Sequence, residues 1–381
     1  MSLTNFLIPF GLPPAEHAND LVKLLAAECG TDGLAMLLSR YQSLTRTQFD
    51  DFSPELPHEV WQNEKFKAEH SSLLQHYANS FKVDLNPGHW FLLTPVHLHI
   101  ARNHLVLTDY RQLALSEQDA LLLFEKAKAL CAEAGVEIVF GNATTWFLRA
   151  DEWNDFETST PDAACGHNIE IWSAKGSKEL AWRKLQNEIQ MEWFTHPLQQ
   201  QREERGEKVI NGLWLWSGTT LPTGFAPSPV DGRGLGRGSL KTSTLSTFLH
   251  DLPPSPPPTL QKPFGLRKLP LQGQFVPQAQ CMHCETPATP HKWERGENLP
   301  ARQVLDQLSS AALSNDWGTW AALMIELERN CFKPLCAALK KREITQLQIH
   351  LSNSKTLLSI QTSSNALKKF WRFPTFKNLI T

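Results

Sequence analysis

The sequence predicts an α/β fold: a main α/β body, a small inserted α+β module and a long Pro/Gly-rich loop. Three observations lead there. Short apolar strands alternate with segments of helical periodicity through residues 1–221. Residues 89–150 read as strand, strand, helix, strand, strand, which suits one helix packed on a small sheet. Between 222 and 300 the composition turns to Pro, Gly and Ser, and regular patterns resume from 301. At 381 residues the chain is too long for one small core. The expected division is an N-terminal part of the body (1–88), the module (89–150), a helix-strand part of the body (151–221), the loop or linker (222–300), and C-terminal helices with a β-hairpin (301–381).

Each element has a local signal. "LTNFLIPF" is an apolar strand stopped by Gly11-Leu12-Pro13-Pro14. "AEHANDLVKLLAAEC" and "DGLAMLLSRYQSL" space their apolar residues as helices do. "FDDFSPELPHEVWQNEKF" is a polar, Pro-marked entry to another helix, and Asn86-Pro87-Gly88 marks a turn. Beyond it Val96, Leu98 and Ile100 alternate with His97, His99 and Ala101, the period of a strand. Ser116 and Asp119 open a helix, and Gly135 suits its end. "VEIVFG" and "TTWFLRA" are short strands. "SKELAWRKLQNEIQMEWFTH" is a long helix whose apolar side carries Leu180, Leu185, Ile189 and Phe194. Pro197 forces His196 out of helical geometry, and "INGLWLWSG" comes next as a buried strand. In the last part "ARQVLDQLSSAAL" and "WGTWAALMIELERNCFKPLCAALKKR" read as amphipathic helices. "ITQLQIHL" and "KTLLSIQT" read as a hairpin across "SNS". The basic, aromatic tail "NALKKFWRFPTFKN" is expected to dock on the protein's own core as a helix.

The totals narrow the function classes. A net charge of -2 argues against a chain that binds nucleic acid or a membrane surface over its whole face. Contact with nucleic acid is expected only through the basic tail or the loop "DGRGLGRG". That loop precedes no strand-to-helix unit, so it is no phosphate-binding fingerprint. The N-terminus lacks a signal-peptide pattern, and no window of about 18 apolar residues appears. Seven scattered cysteines make no disulfide framework, and the chain is expected to be cytoplasmic. Thirteen Trp residues require buried surface and partners for their N–H groups.

Candidate chemistry centres on Asn187–Gly218. A strand ending in Gly218 beside charged helices can present backbone N–H groups to an anion. Arg202 and Arg205 can hold a phosphate or carboxylate, with His196 and Asn211 orienting it. The competing reading is a solvated charged turn capped by Gly206. Two other groups have metal-ligand spacing. His97 and His99 share one strand face, and Cys281 and Cys284 form a Cys-x-x-Cys pair followed by His291. No second cysteine pair comes after it, which argues against a structural zinc there.

The same stretch carries a resemblance. Asn187, Glu188, His196, Pro197, Arg202, Gly206, Asn211 and Gly218 are similar to the corresponding stretch of archaeal-type cofactor-independent phosphoglycerate mutases. The chain resembles more closely a bacterial family described as predicted cofactor-independent phosphoglycerate mutase. "FLIPF", "GLAMLLSRYQ", "HWFLLTPVHLHI", "VLTDYRQLALS" and "WFLRAD" resemble its other landmarks. The resemblance covers roughly 1–220 and 300–350. It implies an alkaline-phosphatase-like scaffold, a small phosphorylated ligand and, in an active member, isomerase or phosphatase chemistry on two divalent metals. The pattern departs at the metal side. No acidic ligand stands directly after the first strand, which runs into "PFGLPPAEH", and no Asp-x-x-Gly-His cluster comes after Gly218. "DAACGHN" (162–168) approaches that cluster in letters but precedes the long helix. Gln199 and Thr220 stand where the mutase pattern has Asn and Gly. The expectation is therefore a mutase-like protein without the metal-dependent centre that binds a small phosphorylated or carboxylate ligand. The alternative is a non-catalytic regulatory protein that uses the scaffold to engage a protein partner.

Overall fold

The computed structural model describes residues 3–222 and 302–380, which belong to one compact unit. In chain order the N-terminal elements are β1 (Leu3–Ile8), α1 (Ala15–Cys29), α2 (Leu34–Ser39), β2 (Ser43–Gln48), α3 (Pro57–Ala68) and α4 (Leu73–Phe81). Then come β3 (Gly88–Val96), β4 (Leu98–Ala101), β5 (His104–Leu107), α5 (Glu117–Glu133), β6 (Glu137–Phe140) and β7 (Trp146–Arg149). Next are α6 (Pro161–Ala164), α7 (Ile169–Trp172), α8 (Glu179–Phe194), α9 (Pro197–Glu204) and β8 (Gly212–Leu221). The last are β9 (Arg302–Val304), α10 (Ser309–Leu313), α11 (Trp317–Leu327), α12 (Lys333–Lys341), β10 (Gln346–Ser352) and β11 (Thr356–Ser363). The fold is α/β, as the alternation of patterns predicts.

The larger sheet runs β2-β11-β10-β1-β9. Its centre is parallel: Phe6 faces Ile349 and Ile8 faces Leu351 across β1 and β10. Phe6, Leu7 and Ile8 are all fully buried, the continuous apolar run of a strand covered on both faces. At the β10–β11 turn the Asn353 side chain accepts from the N–H groups of Lys355 and Thr356, which fixes the hairpin. Two expectations are corrected here. Residues 302–304 form a strand beside β1, and the helix expected over 301–313 shrinks to five residues. Residues 43–48 pair with β11, so the second helix ends at Ser39. In both places a sheet edge supplies hydrogen bonds that local helical spacing cannot anticipate.

The second sheet runs β6-β7-β3-β8 and is antiparallel throughout. In β3, Trp90 and Leu92 enter the main core, while Phe91 and Leu93 enter a second core against α5 and α8. β8 divides likewise, with Trp214 and Trp216 on one face and Leu213 and Leu215 on the other. The buried indoles find partners, as their chemistry demands: Trp216 Nε1 donates to Thr94 Oγ1 and Trp214 Nε1 to the Ser159 carbonyl. In α8 the buried stripe is Trp182, Leu185, Ile189 and Trp193. Leu180 and Phe194 are more than four-fifths exposed, which corrects two of the four residues expected on its apolar side. The tail forms short 3-10 turns at Ala366–Lys368 and Lys377–Leu379 in place of the expected helix. Leu367, Phe376 and Leu379 are buried, while Arg40 and Arg46 hold the tail's carbonyls. Among the described residues no helix is long and apolar enough to cross a membrane.

Candidate functional site

The junction at 187–211 is closed by its own partners. His196 caps α9, its Nδ1 accepting from the Leu198 N–H at 3.2 Å. Arg202 is fully buried; its Nε donates to the Lys208 carbonyl at 2.9 Å and its Nη2 to the Leu113 carbonyl. Its Nη1 lies 3.2 Å from Glu207 and 3.7 Å from Asp119. Arg205 makes a two-pronged contact with Glu207 at 3.1 and 3.0 Å and reaches Asp119 at 3.4 Å. The structure thus brings the two guanidiniums together, on two carboxylates. The Arg205 hydrogen bonds hold the Glu207 carboxyl below its usual range. Asn211 accepts from the Leu98 N–H at 2.7 Å and donates to the Leu98 carbonyl at 2.8 Å, replacing a ladder partner where β3 ends and β4 begins. Gln199 does the same for Ile210.

Gly218 lies seven residues further along, roughly 23 Å at the rise of a strand. Two residues of β8, Ser217 and Gly218, oppose Phe91 alone, because Trp90 pairs with Thr219 and Leu92 with Trp216. This is a β-bulge, and Ser217 adopts the left-handed conformation with φ of 56°. A Cβ on Gly218 would sit 2.7 Å from Phe91 Cε1 and 3.1 Å from His89 Nε2. Gly218→Ala should therefore cost about 1–3 kcal/mol, the usual penalty of overpacking. Urea unfolding checks this; an unchanged midpoint would show that the close approach is not limiting.

The bulge forms one wall of a cleft of about 250 Å³. The other walls are α3, the start of α4 and residues 156–160. Hydroxyls dominate, from Ser71, Ser72, Thr158, Thr160, Ser217 and Thr219, with Phe66, Phe156 and Trp216 as apolar surfaces. Ser72 caps α4, so the positive end of that helix opens onto the cleft beside Lys67. Glu55 and Glu59 stand among the lining carboxylates.

Glu59 links the cleft to a buried polar cluster. Pro57 starts α3, which places His58 and Glu59 in its first turn. Glu59 Oε2 accepts from the Leu56 N–H at 2.6 Å and from Thr160 Oγ1 at 2.7 Å. Thr160 caps α6, which carries Asp162. Both Asp162 oxygens receive Arg111, at 2.9 and 2.6 Å, and Arg111 also reaches Asp109 at 2.9 Å. The Arg111 guanidinium lies 4.5 Å from the centre of the Tyr110 ring. His58 Nδ1 meets Ser352 Oγ at 3.1 Å, and that hydroxyl accepts from the Phe10 N–H. Ser352 ends β10 and Phe10 lies just past β1, so the cluster sits at the carboxyl ends of the parallel strands, where open α/β sheets place ligands. One ligand atom each from His58, Glu59 and Asp162 lie within 4.8 Å of one another. Burial, reinforced by Asp162, pushes the Glu59 carboxyl well above its usual range, against the hydrogen bonds from Leu56 and Thr160.

No family model matches the chain, and no curated protein matches it. Among solved structures it is similar to a cofactor-independent phosphoglycerate mutase from Thermoplasma acidophilum, at 10% identity with a TM-score of 0.33, over 100% of this chain and 94% of that one. It is also similar to the PH0037 protein from Pyrococcus horikoshii, at 15% identity with a TM-score of 0.30, over 58% of this chain. The match spans about half of the Pyrococcus protein, 53% of its length. Likeness at this level carries neither an activity nor a site over to this chain.

Of the residues singled out in the sequence, Gly218 lines the cleft, while His196, Arg202, Arg205 and Asn211 stand at the other end of β8. The His97 and His99 rings stack with centroids 6.0 Å apart. His97 Nδ1 meets the Val209 carbonyl and His99 Nδ1 meets Thr108 Oγ1. Burial draws the His97 imidazole below its usual value. Among the described residues they join no group of three metal-ligand side chains. Cys281, Cys284, His291 and the 231–238 loop lie outside the described residues. Sequence reasoning missed His58, Glu59 and Arg111. The available signal was a His-Glu pair directly after a helix-starting Pro, which is also an ordinary helix opening. Asp162 was visible only as a letter of "DAACGHN".

Proposed function

We propose that this protein binds a small phosphorylated or carboxylate compound in the cleft between α3, α4 and the outer end of β8, on a mutase-like scaffold without the mutase metal pair. The observation that supports the reading is the convergence of Lys67 and the amino end of α4 on a hydroxyl-lined cleft. Among the described residues Lys67 enters no ion pair, whereas Arg202 and Arg205 are already neutralised by Asp119 and Glu207. The segment just past β1 supports the lack of a two-metal centre. Phe10 and Leu12 are buried apolar residues there, and no acidic ligand is present. A second reading, a regulatory protein that engages a protein partner, draws on Phe370, Trp371 and Phe373, all more than three-fifths exposed on the tail.

Calorimetric titration with inorganic phosphate, glycerate and phosphoglycerate tests the first reading. One of them should bind the parent chain, and Lys67→Glu should weaken it about tenfold or more, the effect of losing one charge-assisted hydrogen bond. Arg205→Ala should leave the affinity unchanged. Loss in Arg205→Ala with full binding in Lys67→Glu would move the site to the α9 turn.

A further inference from the structure

We propose that His58, Glu59 and Asp162 form a site for one divalent cation beside this cleft, which Glu59 alone of the three lines. The donor set is one imidazole nitrogen and two carboxylate oxygens, drawn from two segments and already within 4.8 Å of one another. Such a mixed set suits Mn²⁺, Fe²⁺ or Zn²⁺. It owes nothing to the two-metal pattern of the mutases, whose acidic ligand after the first strand this chain lacks.

Charge balance points the same way. Asp109, Asp162 and Glu59 are all more than nine-tenths buried, and the Arg111 guanidinium pairs with the first two. Asp109 Oδ2 has no hydrogen-bond partner. Three carboxyls gathered away from water are costly to ionise together without added positive charge. A divalent ion held by Glu59 and Asp162 would supply that charge.

The surroundings have the form of a built coordination sphere. Ser352 holds His58 Nδ1, and we assign Nε2 to the ion. Thr160 and the Leu56 N–H orient Glu59, and Arg111 orients Asp162. Ligating groups are commonly fixed by such outer partners. Asp162 can keep Arg111 and still ligate, because each carboxylate oxygen has two lone pairs. Glu59 and Thr160 also line the cleft, so the site adjoins it. The cation site does not depend on a phosphorylated or carboxylate ligand in the cleft, although a cation here would add a counter-charge for one.

The test uses the full chain, stripped with chelator and titrated with MnCl₂ alone. Calorimetry should find one Mn²⁺ bound per chain. Glu59→Gln and Asp162→Asn should lose at least the ~10–100-fold that removal of an outer partner costs a metal site. Glu59→Gln keeps an oxygen for Leu56 and Thr160, so a parent-like thermal transition will show that the loss is local. His97→Ala should bind as the parent does. The proposal fails if the parent binds no Mn²⁺, if folded Glu59→Gln binds as tightly as the parent, or if binding is lost only on changing Cys281 and Cys284 to Ser.

Discussion

Arg111→Met is expected to destabilise the chain by about 3–5 kcal/mol at neutral pH, the cost of removing one partner from a buried ion pair. Burial alone would pull the Arg111 guanidinium down, but Asp162, Tyr110 and Asp109 outweigh it and hold its proton more firmly than usual. Three hydrogen bonds to two carboxylates disappear with the side chain. Asp109 and Asp162 are then left buried without that cation, and Glu59 lies beside Asp162. The loss has a pH signature with a definite sign. A carboxyl stranded in this way has a folded pKa above its unfolded value, so the folded chain holds a proton that the unfolded chain releases. Its favourable contribution is fully present below the ordinary carboxylate range and is lost as pH rises through the folded value. The gap between variant and parent should therefore narrow as the pH is lowered from neutral into the ordinary carboxylate range. Glu59 already has this sign in the parent, so Glu59→Gln should flatten the fall of stability above the usual carboxylate range. Urea unfolding at several pH values measures both, and an Arg111→Met loss that is the same at all of them would refute the charge-balance account.

Arg202→Ala should cost a similar amount, about 3–5 kcal/mol, for a related reason. The side chain is fully buried and ties the loop at Leu113 to the turn at Lys208. Removing it strands two carbonyls and takes a counter-charge from Asp119 and Glu207. Arg205 shares both carboxylates but is nearly half exposed, so Arg205→Ala should change stability far less. Denaturation midpoints of the two single variants decide between a structural clamp and a binding site. If Arg202→Ala unfolds where the parent does yet loses phosphate binding, Arg202 belongs to a ligand site.

These two arginines also show where local reading stops. "QREERGEK" has the letters of an anion site, and its charges do converge, but their counter-ions are Asp119 and Glu207. Glu207 is close in sequence and could have been suspected; Asp119 sits on α5 and could not. Asn211 looked like a ligand-orienting amide and instead completes a backbone ladder, as does Gln199, which stands where the mutase pattern has Asn. In Arg302–Val304 a three-residue strand is too short to show a period.

By itself the sequence determined the α/β class, β1, α1, α5, the extent of α8 and the β10–β11 hairpin. Those features come from spacing of 2 or about 3.6 residues and from Pro, Gly and cap residues, all readable within a dozen positions. Only the tertiary structure decided that β8 carries a bulge at Ser217 and Gly218, and that a cleft forms against it. Only the tertiary structure brought His58 to Ser352, 294 residues away, and set Glu59 beside Asp162 and Arg111. The reason is physical. Backbone periodicity reports which face of an element is apolar, whereas the balance of buried charges depends on which elements meet, and packing alone settles that.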